Sequence, residues 1–457
     1  MKKLSLILIG LVIALPVFAQ LKPVFKPLRS EDDFSYLKND SLKNWYRTIK
    51  FIPLNSKKDF YATIGGEIRT QYFNVQNESW GDQQVDDDNY LLNRSLLHFD
   101  LHYRKNIRLF LQLQSSLAFS RIDASPVDNN PLDLHQAFID MNLIRNKENK
   151  LMLSVGRQEM QYGSQRLVSL RERPNNRQAF DGIKITFAKK SLNNSSFFTL
   201  PVANKPNSFD DNINRNVKFW GNYTVLHNLR FLNNLDLYYL GIWKKNFKFG
   251  NFTQRELRHS TGIRVWKETG NWQYDFEAVY QFGKFGTSDI SAYTLSSNSS
   301  YTFTGLKAKP KIGLKAEVIS GDNDPKDHKL QTFNALYPKG AYFGLAALIG
   351  PSNLMDLHPY LEVKLNQKIV LAVDYDLFWR YSENDGIYAT NLHTLYKGQT
   401  MDGRFIGQQL AADLSYRLSP YLSITTEATW FIAGTYLENV SKGKNILLTG
   451  ATIQLKF

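Results

Sequence analysis

"NILLTGATIQLKF", residues 445–457, has two faces. Leu447, Ala451, Ile453, Leu455 and Phe457 fall on one side, and Gly450, Thr452, Gln454 and Lys456 on the other. Successive side chains of an extended chain point in opposite directions, so this is a strand that meets an apolar medium on one face and a polar one on the other. The pattern recurs upstream. "QQLAADLSYRLS" (408–419) sets Leu410, Ala412, Leu414, Tyr416 and Leu418 against Gln409, Asp413 and Arg417. "NWQYDFEAVYQF" (271–282) sets Trp272, Tyr274, Phe276, Ala278, Tyr280 and Phe282 against Gln273, Asp275, Glu277 and Gln281. "NRSLLHFDLHYR" (93–104) sets Leu97, Phe99, Leu101 and Tyr103 against His98, Asp100, His102 and Arg104.

The polar face carries charges of both signs in the middle of long strands, and the apolar faces end in aromatic residues. A soluble sandwich shares the alternation but has little need of aromatic ends on so many strands. A membrane barrel requires an apolar outer band, aromatic girdles and a polar interior. The mean hydropathy of −0.37 fits either, because alternation hides strands from a hydropathy scan. With 14% aromatic residues and no cysteine in 457, the chain is neither disordered nor built on a disulfide framework. A chain ending on Phe after alternating apolar residues also resembles the C-terminal signature of bacterial outer-membrane barrels. "MKKLSLILIGLVIALPVFAQ" (1–20) has the basic, apolar and small-residue regions of a secretory signal, with cleavage expected after Ala19.

The reading is therefore all-β: a transmembrane antiparallel β-barrel of about eighteen strands filling 60–457, after a signal peptide (1–19) and a periplasmic lead-in (20–59) with one short helix rather than a lumen plug. Tight turns at 104–106, 365–367 and 418–420 alternate with long connections at 74–90, 162–179, 320–353 and 382–403. "GRQEMQYGSQRLVSLRERPNNRQAFDG" (156–182) spans one of them, with Arg157, Arg166, Arg171, Arg173 and Arg177 among Glu159, Glu172 and Asp181. It lies either outside the cell, where it would meet lipopolysaccharide phosphates, or inside the lumen, where guanidinium groups would guide anions.

Other clusters invite chemistry. Asp322, Asp324 and Asp327 in "GDNDPKD" have oxygen ligands for calcium but lack the closing Glu of an EF-hand, and a turn of solvated acids accounts for them. The triplet Asp86–Asp88 reads as a solvated loop tip. His98, Asp100 and His102 share a strand face, as metal ligands would, but a polar lumen wall explains them. The pairs Asp374 with Asp376 and Asp275 with Glu277 read as ionic rungs across the lumen. A barrel enzyme of the phospholipase or protease kind would need an activated Ser–His or Asp–His pair near a rim, and no motif for one is visible. The net charge of +14 is spread over lumen-facing positions, which argues against nucleic acid.

Three stretches together resemble the alginate-export family of outer-membrane porins: "GGEIRTQYF" (65–73), the arginine-rich segment, and "SGDNDPKDHKLQTFNALYPKGAYFGLAALIGPSNLMDLHPYLEVKL" (320–365) followed by "DYDLFWRYSENDGIY" (374–388). The likeness runs from about Phe34 to Phe457. It implies a monomeric eighteen-stranded barrel in the outer membrane of a Gram-negative bacterium, whose arginine-rich constriction passes an anionic polysaccharide. Arg157, Arg166, Arg171, Arg177 and Arg380 match the family's basic positions. The expected partners are outer-membrane lipid, lipopolysaccharide, an anionic saccharide, the barrel-assembly machinery and a periplasmic export complex; no cofactor is expected. A general small-solute porin is the nearest alternative.

Overall fold

The computed structural model describes residues 25–42, 44–83, 85–250, 252–344, 346–398 and 403–457. The expected signal peptide lies outside the described residues. Eighteen long strands make one closed wall. The first six are β1 (Phe60–Gln76), β2 (Asp87–Tyr103), β3 (Ile107–Phe119), β4 (Asn130–Arg145), β5 (Asn149–Gln158) and β6 (Phe180–Lys189). Next come β7 (Leu192–Ala203), β8 (Val217–Leu229), β9 (Asn233–Phe249), β10 (Phe252–Lys267), β11 (Trp272–Phe285) and β12 (Ser288–Thr302). The last six are β13 (Lys311–Ile319), β14 (Leu354–Lys364), β15 (Ile369–Arg380), β16 (Phe405–Arg417), β17 (Leu422–Ala433) and β18 (Ile446–Lys456).

Each strand pairs antiparallel with the next, and β18 returns to β1 from Glu67↔Lys456 to Gln76↔Leu447. Closure matters because lipid offers no hydrogen bonds: an open edge in the bilayer would leave a row of unsatisfied amides. The alternation read along β2, β11, β16 and β18 holds in space. On β11, Trp272, Phe276, Tyr280 and Phe282 are exposed outward, while Glu277 and Gln281 are buried inward. Aromatic residues ring both rims of the outer face. Phe60 packs on Tyr103 and Trp272 stands opposite Tyr301 at one rim, and Tyr72 and Trp430 mark the other. Between them runs a band of exposed Ile68, Ile139, Ile183, Ile263, Leu295 and Ile453.

The rim carrying both ends of the barrel has the short turns, which makes it the periplasmic one. The opposite rim carries the long loops. β1 and β2 run further than their apolar alternation suggests, because pairing continues through Asn74↔Asn89 to Gln76↔Asp87 above the lipid, where no apolar face is needed. This corrects two expectations: the connection shrinks to 77–86, and Asp88 is a buried strand residue rather than part of a solvated tip.

The segment before β1 packs over the periplasmic mouth. Its helix α1 (Trp45–Lys50) and two short 3-10 turns bury Phe34, Leu37, Tyr46 and Phe51 against Tyr61. Lys50 reaches inside the wall to donate to the Ile64 carbonyl at 2.8 Å. Arg29 donates to the carbonyls of Gly66 and Phe457, both at 2.9 Å, and so bridges the two strands that close the barrel.

Candidate functional site in the barrel lumen

The arginine-rich connection between β5 and β6 folds into the lumen. Its charges find partners on distant parts of the wall. Arg166 meets Glu317 of β13 at 2.7 Å and Glu277 of β11 at 3.1 Å. Arg173 meets Glu427 of β17 at 2.7 Å. At the other end, Arg94 of β2 holds Glu67 of β1 at 2.6 Å and Glu172 of the loop at 2.5 Å, while Arg177 contacts Glu67, Glu159 and Glu172. Arg69 donates to the Glu172 carbonyl at 2.7 Å, and Asn175 donates to the Asp128 carbonyl at 2.9 Å. The loop is thus strapped across the pore. Wide barrels leave an aqueous channel, and an infolded loop narrows it.

A second inward loop, from the 320–353 connection, lies along the first. Ser169 donates to the Tyr337 carbonyl at 2.9 Å, Tyr337 to the Leu167 carbonyl at 3.0 Å, and Lys339 to the Gln165 carbonyl at 3.1 Å. Its far side is pinned where Gln409 of β16 donates to the Phe343 carbonyl at 2.9 Å. Leu167, Val168, Phe180, Phe219 and Phe333 belong to one buried apolar cluster inside the barrel, so part of the lumen is a packed core.

The five arginines singled out from the sequence fare differently. Arg157 and Asp181 face each other on β5 and β6 in a two-pronged pair, both contacts 3.0 Å. Arg166 and Arg177 are engaged by carboxylates as described. Arg171 has no carboxylate within ion-pair reach among the described residues, and its backbone is left-handed at φ 56°. Arg380 stands apart from the other four. It is fully buried at the outer end of β15, donates to the carbonyls of Gly403 (3.1 Å), Glu383 (2.9 Å) and Asp385 (3.2 Å), and lies 4.0 Å over the Tyr436 ring. It ties together the outer loops around β15 to β18.

Asp322, Asp324 and Asp327 each accept a main-chain hydrogen bond from the residue two ahead, at 3.2, 3.0 and 2.8 Å. They act as local turn caps. Burial, then the neighbouring Asp385, pushes the Asp322 carboxyl up to about 7. Asp100 is held by Arg108 through contacts of 2.7 and 2.9 Å, and His98 stacks on Phe110, so these two do not converge on a shared ion. Asp275 pairs with Arg264 of the adjacent β10 at 2.8 Å, and Glu277, besides its ion pair with Arg166, accepts from Tyr238 at 2.6 Å, so the rungs run to the neighbouring strand and the inward loop rather than across an open lumen.

Some lumen groups escaped the reading of motifs. Lys184 of β6, Lys315 of β13 and Lys339 of the second loop have no carboxylate within ion-pair reach among the described residues. Inward alternation on β6 and β13 was the available signal for two of them. Beneath the loops, a chamber of about 760 Å³ lies between the lead-in and the wall of β2 to β6. Its lining has nine lysines and arginines against six carboxylates.

A family model described as alginate export matches residues 60–445. No curated protein matches the chain. Among solved structures, the chain is similar to Pseudomonas aeruginosa OccK3 (OpdO), with 13% identity, TM-score 0.56, and 87% of this chain and 95% of that one covered. It is also similar to Pseudomonas aeruginosa OpdK crystallised with vanillate, at 11% identity, TM-score 0.55, and 87% and 98% coverage. A BenF-like porin from Pseudomonas fluorescens aligns at 10% identity, TM-score 0.56, and 87% and 98% coverage. At such identities the likeness concerns the barrel fold.

Proposed function

Because this chain belongs to the alginate export family of outer-membrane porins, we propose that its channel passes an anionic, carboxylate-bearing saccharide by passive diffusion along the two inward loops. The observation that carries this reading is the periplasmic chamber with its surplus of cations, above all Lys184 with no carboxylate partner. Charges confined between low-dielectric walls raise the local concentration of counter-ions, and a polyanion gains from each of them. The paired arginines fix the loop across the pore, which leaves selectivity to the cations without acid partners: Lys184, Lys315, Lys339 and Arg171.

The test is single-channel recording of the purified protein in planar bilayers under a salt gradient. The expected result is a reversal potential displaced toward anion preference and block by oligouronates at low salt, weakening as salt rises. A cation-preferring channel, or a barrel that conducts nothing and hydrolyses lipid or peptide, overturns the reading.

A further inference from the structure

A group on the inner wall of β14 and β15 does not fit a simple ion pair. His358 of β14 is 3% exposed at its side chain and lies between two aspartates of β15. On one side its Nδ1 lies against Oδ1 of Asp376, a fully buried residue. The second Asp376 oxygen, Oδ2, accepts a hydrogen bond from Gln409 at 2.6 Å, which fixes that carboxylate in place. On the other side, His358 Nε2 and Asp374 Oδ1 stand 3.4 Å apart. Both atoms are buried and neither makes a hydrogen bond.

An imidazolium bridging two carboxylates would hold each at about 2.7–2.9 Å with its N–H aimed at the oxygen. The 3.4 Å gap is too long for that. It does match a different geometry: two ligands each ~2.0–2.1 Å from a tetrahedral ion stand ~3.3 Å apart. The other nitrogen is in the position usual for a metal-binding histidine, whose distal N–H is oriented by a carboxylate. The three side chains bring one ligand atom each to within 4.8 Å of one another.

We infer that His358 Nε2 and Asp374 Oδ1 are the protein ligands of a divalent transition-metal site in the lumen wall, with Asp376 orienting the imidazole. Imidazole with carboxylate suits an ion of the zinc class rather than calcium or magnesium, which prefer all-oxygen shells. Two protein ligands leave further positions to water. The Asp374 side chain is 20% exposed, and the loop residue facing its carboxylate is Gly344, which has no side chain to cover it. Glu362 and Asp413 flank Ala372 on the neighbouring strands, and they outnumber Lys315, the one cation directly opposite His358 on β13.

Zinc titration of the full-length, EDTA-treated protein in detergent, followed by calorimetry, tests this. The wild type is expected to bind one Zn²⁺ per chain. H358Q and D374N should each weaken that site at least tenfold, and D376N, which removes only the orienting charge, by about tenfold. Heat-modifiable gel migration checks that each barrel is folded; if H358Q does not fold, D374N, on the more exposed ligand, decides. Cobalt(II) in place of zinc should give a tetrahedral visible spectrum that H358Q abolishes. No zinc binding by the wild type overturns the site, as does unaltered stoichiometry and affinity in the folded variants, which would place the binding elsewhere on the surface.

Discussion

Gly66 and Phe457 exchange both of their main-chain hydrogen bonds, at 2.9 and 3.0 Å, and the Phe457 ring occupies the space a side chain at 66 would need. A carbon added to Gly66 would lie 2.6 Å from that ring and 2.5 Å from the Leu96 carbonyl. The last residue and the first strand therefore fit only in this combination, and Arg29 clamps both carbonyls from the periplasmic side.

Substituting Gly66→Val should obstruct closure of β1 on β18. Outer-membrane yield is expected to fall several-fold, with unfolded protein recovered from the periplasm, and deletion of Phe457 should do the same. R29A, which removes three charge-assisted hydrogen bonds, two to these carbonyls and one to Asp32, should fold but lose at least roughly 2–3 kcal/mol. Heat-modifiable migration and urea unfolding separate the two effects. Normal yield for G66V would show that the seam tolerates a side chain.

The loop strap depends on buried charge. Glu67 and Arg94 are both fully buried at their side chains. Removing one partner of such a pair leaves an uncompensated charge, a loss of about 3–5 kcal/mol. E67Q should fall at the lower end, because Glu172 still serves Arg94 and Arg177. Urea unfolding measures the loss, and bilayer recordings should show added current noise as the loop detaches. An E67Q barrel with wild-type stability and quiet conductance would contradict the strap.

Selectivity should follow the unpaired cations. R171E is expected to shift the reversal potential toward cations, most strongly at low salt, since the screening length at physiological salt is ~8 Å. K284E lies on an exposed outer hairpin, paired with Asp289 at 2.6 Å, and should leave the potential unchanged. Equal shifts from both would mean that position in the lumen is irrelevant.

The outer loops should respond to pH through Asp322. Its carboxyl is pushed up to about 7 by burial and by Asp385. An unfolded aspartate ionises near ~3.9, so between the two values the folded loop holds a proton that the open loop releases. Stability is therefore lost as pH rises from about 4 to about 7 and stays lost above. One pKa unit corresponds to ~1.4 kcal/mol, about tenfold in local opening. Limited proteolysis of the 320–353 loop should run at least tenfold faster at pH 8 than at pH 5, and D322N should flatten that dependence.

The strand ladder is legible without coordinates: the count of about eighteen matches the wall, and alternation separates the inward set Asp275, Glu277 and Gln281 from the outward Phe276, Tyr280 and Phe282. The arginines were legible as residues but not as contacts. Arg173 and Glu427 lie 254 positions apart, and nothing near either names the other. The same holds for His358 and the Asp374–Asp376 pair: alternation puts the aspartates on the inner face, and only the pairing of β14 with β15 brings the histidine between them.

What the sequence by itself determined is the wall: side-chain direction in a strand is a local, two-residue property, and lipid outside with water inside writes it into every strand. What only the tertiary structure decided is the lumen. Whether a charged loop points outward or inward depends on the carboxylates that await it across the pore, and barrel closure brings those together from strands scattered along the chain.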